Sequence, residues 1–308
     1  MAFTAKDVQA LREKTGCGMM DCKKALTESN GDMEKAVDLL REKGLAAAAK
    51  KSGRIAAEGL VLAVTNDTGN IGAVVEVNSE TDFVAKNADF QNFVDICAKT
   101  VINENPADVD TFLTLKAGDT GLTVDELLKE KILTIGENLK IRRFVRYEGK
   151  VVPYVHGGGR IGVLVNLDAD SAVADKPEII EIGKDVAMQI AALNATFLDK
   201  ASVPADVIEK EKEILIAQIK NDEKFANKPE AIIEKMVEGK ISKFFENNCL
   251  LQQSFVKDGS LTVEKYLAEK SKELGGNITV KAFTRFEKGE GLQKREDNFA
   301  DEVASMIK

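Results

Sequence analysis

The sequence predicts an α+β protein assembled from small units. Three observations carry this reading: a β-rich pattern occurs twice at an offset of 90 residues, the first 54 residues differ in charge from the rest, and residues 205–247 keep a helical period without strand character. The chain has 308 residues, roughly two domains at about 150 residues each. Its 44% apolar and 31% charged residues are ordinary for a globular protein with a sizeable core.

The N-terminal unit comes first. Residues 1–54 hold 11 basic and 8 acidic residues, a balance of +3, while the remainder hold 32 and 43, a balance of −11. Three short helices are expected. Thr4 to Asp7 resembles a capping box with Asp in the place of Glu or Gln, and Val8 and Leu11 would face inward. Thr15-Gly16 breaks the first helix. Met19, Cys22, Lys23 and Leu26 pace the second, up to Asn30-Gly31. Asp32 caps the third, with Met33, Ala36, Val37 and Leu40 as its stripe and Gly44 as its stop. Leu45 to Lys51 then reads as a short helix and tether.

The repeat follows. Glu58-Gly59 matches Glu148-Gly149, Val61 matches Val151, Gly69 matches Gly159, Ile71-Gly72 matches Ile161-Gly162, and Val75 matches Val165. Each copy reads as a hairpin, Leu60–Val64 with Ile71–Val77 and Val151–Val155 with Ile161–Leu167. A helical stripe follows each: Phe90, Phe93, Val94 and Cys97, then Ile179, Ile182, Val186 and Ile190. Third strands are expected from Leu139–Tyr147 and Ile278–Phe286, which end alike. The result is two related antiparallel α+β subdomains.

The copies diverge after their second strands. The first reads Ser79-Glu80-Thr81-Asp82-Phe83-Val84-Ala85-Lys86-Asn87 and the second Ala169-Asp170-Ser171-Ala172-Val173-Ala174-Asp175-Lys176-Pro177. Two readings stand. Thr81 caps a helix, with Phe83 packed on the sheet. Alternatively, Phe83 is presented beside an acid as an interface anchor.

In 205–247, Val207, Glu211, Ile214/Leu215, Gln218, Ile219 and Asp222 carry a mixed stripe, and after a break at Asn227-Lys228-Pro229, Ile232/Ile233, Met236/Val237, Ile241 and Phe244/Phe245 recur at helical spacing. Two helices of about 18 residues would form an antiparallel hairpin, each arm about 27 Å long. Its thin stripes favour projection into solvent over flat packing on a sheet. Phe299, Val303 and Ile307 suggest a short C-terminal helix, docked or partner-facing.

Composition excludes several classes. A net charge of −8 gives no overall field for nucleic acid or anionic lipid. The single histidine, His156, rules out any zinc site with two histidine ligands. No apolar run reaches the roughly 18 residues of a membrane span, and the N-terminus lacks a secretory core, so a cytoplasmic protein is expected. The four cysteines form no CxxC pair and read as reduced thiols. No P-loop or strand-linked GxGxxG is present. Gly157-Gly158-Gly159-Arg160 sits in a hairpin turn, a poor phosphate cradle. His156 has no local partner set for a triad. Arg142, Arg143 and Arg146 among Phe144 and Tyr147 are the one RNA-like cluster, and equally the exposed face of a strand.

Four segments carry a family resemblance: Leu11–Leu26 (LREKTGCGMMDCKKAL), Thr81–Asn87 (TDFVAKN), His156–Val163 (HGGGRIGV) and Lys235–Lys240 (KMVEGK). In this order they resemble the bacterial translation elongation factor Ts family over essentially the whole chain. Two departures stand out: three glycines follow His156 where an alanine is expected among them, and residues 247–277 are longer than expected.

The resemblance implies a ubiquitin-associated-like three-helix domain with its linker at 1–54 and core subdomains at 55–147 and at 148–204 with 248–287. It further implies a coiled-coil hairpin at 205–247 and a C-terminal module at 288–308. It implies guanine-nucleotide exchange on elongation factor Tu without covalent chemistry. Thr81, Asp82, Phe83 and Val84 would disturb the partner's magnesium site, while Arg12, Met19, Met20 and His156 would bind the partner. No cofactor or metal of its own, direct nucleotide binding, nucleic acid or membrane is expected. The stoichiometry, one-to-one or two-to-two, stays open, and a tethering module without exchange activity is the competing class.

Overall fold

The computed structural model describes residues 3–222, 224–225 and 228–294. The Thr4 signal is a complete capping box despite its Asp: the Asp7 amide donates to Thr4 Oγ1, and the Thr4 amide donates to Asp7 Oδ2 at 2.7 Å. It starts α1 (Ala5–Thr15), which a left-handed Gly16 ends. Next come α2 (Met19–Glu28) and α3 (Met33–Lys51), capped by Asp32. Val8, Leu11, Cys17, Cys22, Ala25, Leu26, Ala36 and Leu40 form their shared core.

One expectation fails here. Gly44 does not stop the third helix, and no tether follows it: α3 continues unbroken to Lys51. The alanine run favours helix. Gly44 instead faces α7 (Val124–Ile135), where a Cβ would lie 3.3 Å from the Lys129 carbonyl oxygen. A missing side chain lets two helices approach, and Lys51 Nζ adds a bond to the Ile132 carbonyl at 3.3 Å.

The repeat is a structural one. Strands β1 (Glu58–Thr65), β2 (Ile71–Ser79) and β3 (Lys140–Glu148) form one antiparallel sheet. Strands β4 (Lys150–His156), β5 (Ile161–Ala169) and β8 (Ile278–Glu287) form another with the same order. Between them in sequence lie the short strands β6 (Ser254–Phe255) and β7 (Asp258–Thr262). The registers correspond: Gly72 opposes Tyr147 and Gly162 opposes Phe286. Even the bulges fall at matching places, Glu76/Val77 and Asn166/Leu167.

One face of each sheet packs on a helix. Phe90, Phe93, Val94 and Cys97 of α5 (Ala88–Glu104) cover the first. Ile179, Ile182, Val186 and Ile190 of α8 (Glu178–Leu193) cover the second. The opposite faces pack on each other through Val61, Ala63, Val74, Val151, Leu164 and Phe286. This contact obeys the repeat. The Val61 amide donates to the Gly159 carbonyl at 2.8 Å, and its counterpart, the Val151 amide, donates to the Gly69 carbonyl at 3.2 Å. A Cβ on Gly72 would stand 2.6 Å from Val151 Cγ1, and one on Gly162 would stand 2.5 Å from Val61 Cγ1. The sheets are therefore related by an approximate two-fold, and glycine is needed at both crossing points.

Helices α4 (Asp82–Ala85) and α6 (Val109–Thr114), with α7, complete the first half. The second half inserts α9 (Ala205–Asn221), α10 (Glu230–Asn248) and α11 (Val263–Leu274) before β8. Helices α9 and α10 bury Leu215, Ile219, Ile233, Val237 and Ile241 in a cluster of their own; of the adjacent pairs that the spacing left undecided, Ile214 and Ile232 are exposed. At their foot the Thr196 and Phe197 amides donate to the Asn248 carbonyl. The long 247–277 stretch is the return path, pinned by a buried Gln189–Gln253 hydrogen bond at 3.1 Å. All four cysteines are free and buried. The expected helix around Phe299, Val303 and Ile307 lies outside the described residues.

Gly72→Ala and Gly162→Ala should each destabilise by about 1–3 kcal/mol, the usual range for overpacking a tight contact. The two losses should be similar, read as matched shifts in denaturant midpoint. An alanine tolerated at either site would contradict the close crossing.

Candidate functional site

The corner between β2 and α5 displays Phe83. Strand β2 ends at Ser79, and the chain turns through Glu80 and Thr81 into the single turn of α4. Two side chains then point opposite ways. Val84 is buried in the first core, whereas Phe83 is 78% exposed, the most exposed large apolar side chain among the described residues. Of the two readings of this segment, the packed one fails: Phe83 does not lie on the sheet.

Thr81 is not a hydroxyl cap either. It occupies the cap position of α4 with extended backbone, but its side chain caps nothing. Its hydroxyl donates to Glu137 Oε1 at 2.6 Å, while the Glu80 and Thr81 amides donate to Glu137 Oε2 at 3.1 and 3.0 Å. Glu80 reaches the other way. Its Oε1 accepts the Asn138 amide at 2.6 Å and faces Arg54 Nη1 at 3.4 Å. The Asn138 side chain closes the loop on the Arg54 carbonyl at 2.8 Å. Downstream, the Lys86 amide donates to the Phe83 carbonyl, and Asn87 caps α5 through the Asp89 and Phe90 amides. The corner is thus fastened on both sides of Phe83. Among the described residues Asp82 pairs only with Lys86, at 3.7 Å on the surface, a pair of little energetic weight.

The remaining candidates occupy separate elements. Arg12 lies exposed on α1 and makes no ion pair among the described residues. Met19 and Met20, 56% and 64% exposed, begin α2. Met19 shares helical spacing with Cys22 and Leu26 in the sequence but does not join their core. It stands out because it occupies the first helical position, before the α2 side chains reach their core. His156 ends β4 on the surface, with Nδ1 3.0 Å from Tyr154 Oη. The turn after it is fixed, since Gly159 is buried against Leu60 of β1. No pair among Arg12, Phe83 and His156 shares an element; the β1–β2 ladder and the sheet crossing link the last two.

Residues outside the expected site brace the frame, among them Glu76, which in so acidic a sequence is only a weak signal. Glu76 is fully buried and accepts from Arg142 Nη1 at 3.0 Å, Arg143 Nε at 2.6 Å, Asn78 Nδ2 at 3.1 Å and the Gly289 amide at 2.8 Å. Of the arginine cluster, Arg142 and Arg143 serve Glu76, and Arg146 pairs with Glu148 at 2.5 Å. An acid inside the apolar run of β2 was the available signal. Glu137 offered none, because its partners are backbone amides 56 residues away and more. Among the described residues no group of three His, Cys, Asp or Glu side chains could hold a metal ion, and no helix is long and apolar enough to cross a membrane.

Apart from the buried Val84 and the half-buried Thr81, the candidate residues lie on the surface of an α+β protein whose core is two copies of one sheet motif. A family model described as Elongation factor TS matches residues 80–290, and the chain belongs to that family. It is 53% identical over 307 residues to Elongation factor Ts of Clostridium perfringens (strain SM101 / Type A), covering 99% of each chain. It is 52% identical over 308 residues to Elongation factor Ts of Clostridium botulinum (strain Eklund 17B / Type B), again covering 99% of each. Similarity to Elongation factor Ts of Clostridium kluyveri (strain NBRC 12016) is 51% over 310 residues, with the same coverage.

An exposed side chain contributes little to folding. Phe83→Ala should therefore change unfolding free energy by no more than about 0.5 kcal/mol, whereas Val84→Ala should cost more. Paired denaturation curves test the contrast.

Proposed function

We propose that the chain is a guanine-nucleotide exchange factor for elongation factor Tu in translation elongation. It binds the GDP-bound partner, disturbs the magnesium and phosphate site, and releases GDP so that GTP can enter. The observation that carries this is Phe83, an exposed aromatic on a fastened corner. Burying such a side chain is worth about 1.5–3 kcal/mol, and folding has left that free energy for docking.

Linkage sets what the docking must do. If the factor weakens GDP by some ratio, GDP weakens the factor by the same ratio. A shift of about 10⁴-fold needs roughly 5.5 kcal/mol of difference between the two partner states. A rigid anchor supplies this when only the distorted, nucleotide-free state accommodates it. Phe83 is that anchor, with Thr81, Asp82 and Val84 as its frame. Arg12 provides charge and Met19 and Met20 adaptable apolar surface on the partner's nucleotide-binding domain. His156 makes a second contact from the other sheet.

The rest of the molecule takes matching parts. Residues 1–54 act as a ubiquitin-associated-like head, and 55–147 and 148–204 with 248–287 as the two core subdomains. Residues 205–247 act as a coiled-coil hairpin, and 288–308 as a C-terminal module. The protein works in the cytoplasm, by binding and without covalent chemistry.

Release of a fluorescent GDP from elongation factor Tu, chased with excess GDP, is the test. Substoichiometric amounts of this protein should accelerate release, and Phe83→Ala should remove most of the acceleration while the fold survives. Binding without acceleration would favour a tethering module and end the Phe83 mechanism.

A further inference from the structure

The repeat supplies an internal control for the Phe83 corner. At the offset of 90 residues, Glu80 corresponds to Asp170, Thr81 to Ser171, Phe83 to Val173 and Lys86 to Lys176. The third strands correspond at an offset of 139, since Val77 opposes Ile141 and Leu167 opposes Val280. On that offset Asn138 corresponds to Asn277, and Glu137 to Gly276.

Much of the corner is common to both copies. The Asn138 amide donates to Glu80 Oε1 at 2.6 Å, and the Asn277 amide donates to Asp170 Oδ2 at 2.7 Å. The Lys86 amide donates to the Phe83 carbonyl at 3.1 Å, and the Lys176 amide donates to the Val173 carbonyl at 3.0 Å. These bonds belong to the shared architecture and cannot explain why one corner turns outward.

The corners differ at a few side chains, Asp82 against Ala172 and the buried Val84 against Ala174 among them, and most sharply at one facing pair. Val173 is fully buried and folds back over Gly276, where a Cβ would stand 2.8 Å from Val173 Cγ1. Its counterpart Phe83 is 78% exposed, and opposite it stands Glu137 in place of glycine. Glu137 takes three hydrogen bonds from the corner, including both the amide and the hydroxyl of Thr81. A carboxylate at that position fills the space that glycine leaves open in the sister copy, and it holds the Thr81 backbone through charge-assisted bonds.

We infer that Glu137 is the positioning residue of this corner: it holds Thr81 and bars Phe83 from the inward seat that Val173 occupies. Its consequence for nucleotide exchange rests on the function proposed above, but the positioning itself does not.

The chain contains no tryptophan, so Phe83→Trp installs a single reporter. Alone, it should emit as a solvent-exposed indole and be quenched freely by acrylamide. Combined with Glu137→Gly, its emission should move to the blue and quenching should fall severalfold. Glu137→Gln keeps an acceptor and a donor for Thr81 and should restore the exposed signal. If Glu137→Gly does not give a cooperative thermal transition, Glu137→Ala is read in the same way. Unchanged emission and quenching in a folded Glu137→Gly or Glu137→Ala background would overturn the assignment. In the chain with Phe83 intact, Glu137→Gly should slow exchange by about tenfold or more, as misplacement of a working group does. Asp170→Ala, in the sister corner, should leave exchange unchanged. A blue shift with normal exchange would uphold Glu137 as the positioning residue and overturn the exchange role of Phe83 instead.

Discussion

Everything in this molecule hangs on the crossing of its two sheets. Gly72 and Gly162 carry no side chain where the sheets approach, and Val151 and Val61 fill the space opposite them. Reciprocal bonds from the Val61 and Val151 amides to the Gly159 and Gly69 carbonyls then fix the two hairpins against each other. Interiors are packed closely enough that a single added methyl group is felt. The crossing therefore behaves as one joint with one setting. Through it, the His156 turn of the second sheet is held on β1, while β1 is paired to β2, whose end carries Phe83.

Polar groups brace the same frame from outside the apolar joint. A buried carboxylate is costly unless it is paired and its lone pairs are satisfied. Glu76 meets that condition with two arginines, an asparagine and the Gly289 amide. Arg143 also lies over the Phe286 ring at 4.1 Å, and Lys288 pairs with Glu58. The segment after β8 is thereby tied to the start of β1 and to β2. These contacts close the frame; their value is in fixing geometry, since the net stability of a buried ion pair is small.

Much of this was legible in the sequence because periodicity reports burial. Both hairpins, both covering stripes and the α9–α10 stripe lie where spacing put them, and the gap-free 90-residue register carried even the matching bulges. What spacing cannot report is a partner distant in sequence. Gly44 looked like a stop because the Lys129 carbonyl that it faces lies in α7. Thr81 looked like a cap because the competing acceptor, Glu137, comes 56 residues later. Local propensity gave the default at each place, and a tertiary contact replaced it. Phe83 left both readings open for the same reason: an aromatic after a strand is inward or outward according to what stands across from it.

The two corners show how one frame supports two different surfaces. Both keep the acid-to-amide bond, Glu80 with Asn138 and Asp170 with Asn277, because the strand ends need it. Their difference is confined to a few side chains. In one copy a valine closes the end of the core over a glycine. In the other the apolar side chain faces solvent, and a carboxylate secures the backbone beneath it. The second arrangement forgoes roughly 1.5–3 kcal/mol of burial at a large apolar side chain. That loss is tolerable only because the joint and the Val84 side of the corner are already stable without it. The exposed corner is a local departure from a repeated structural solution, and the sister copy identifies the residues that depart.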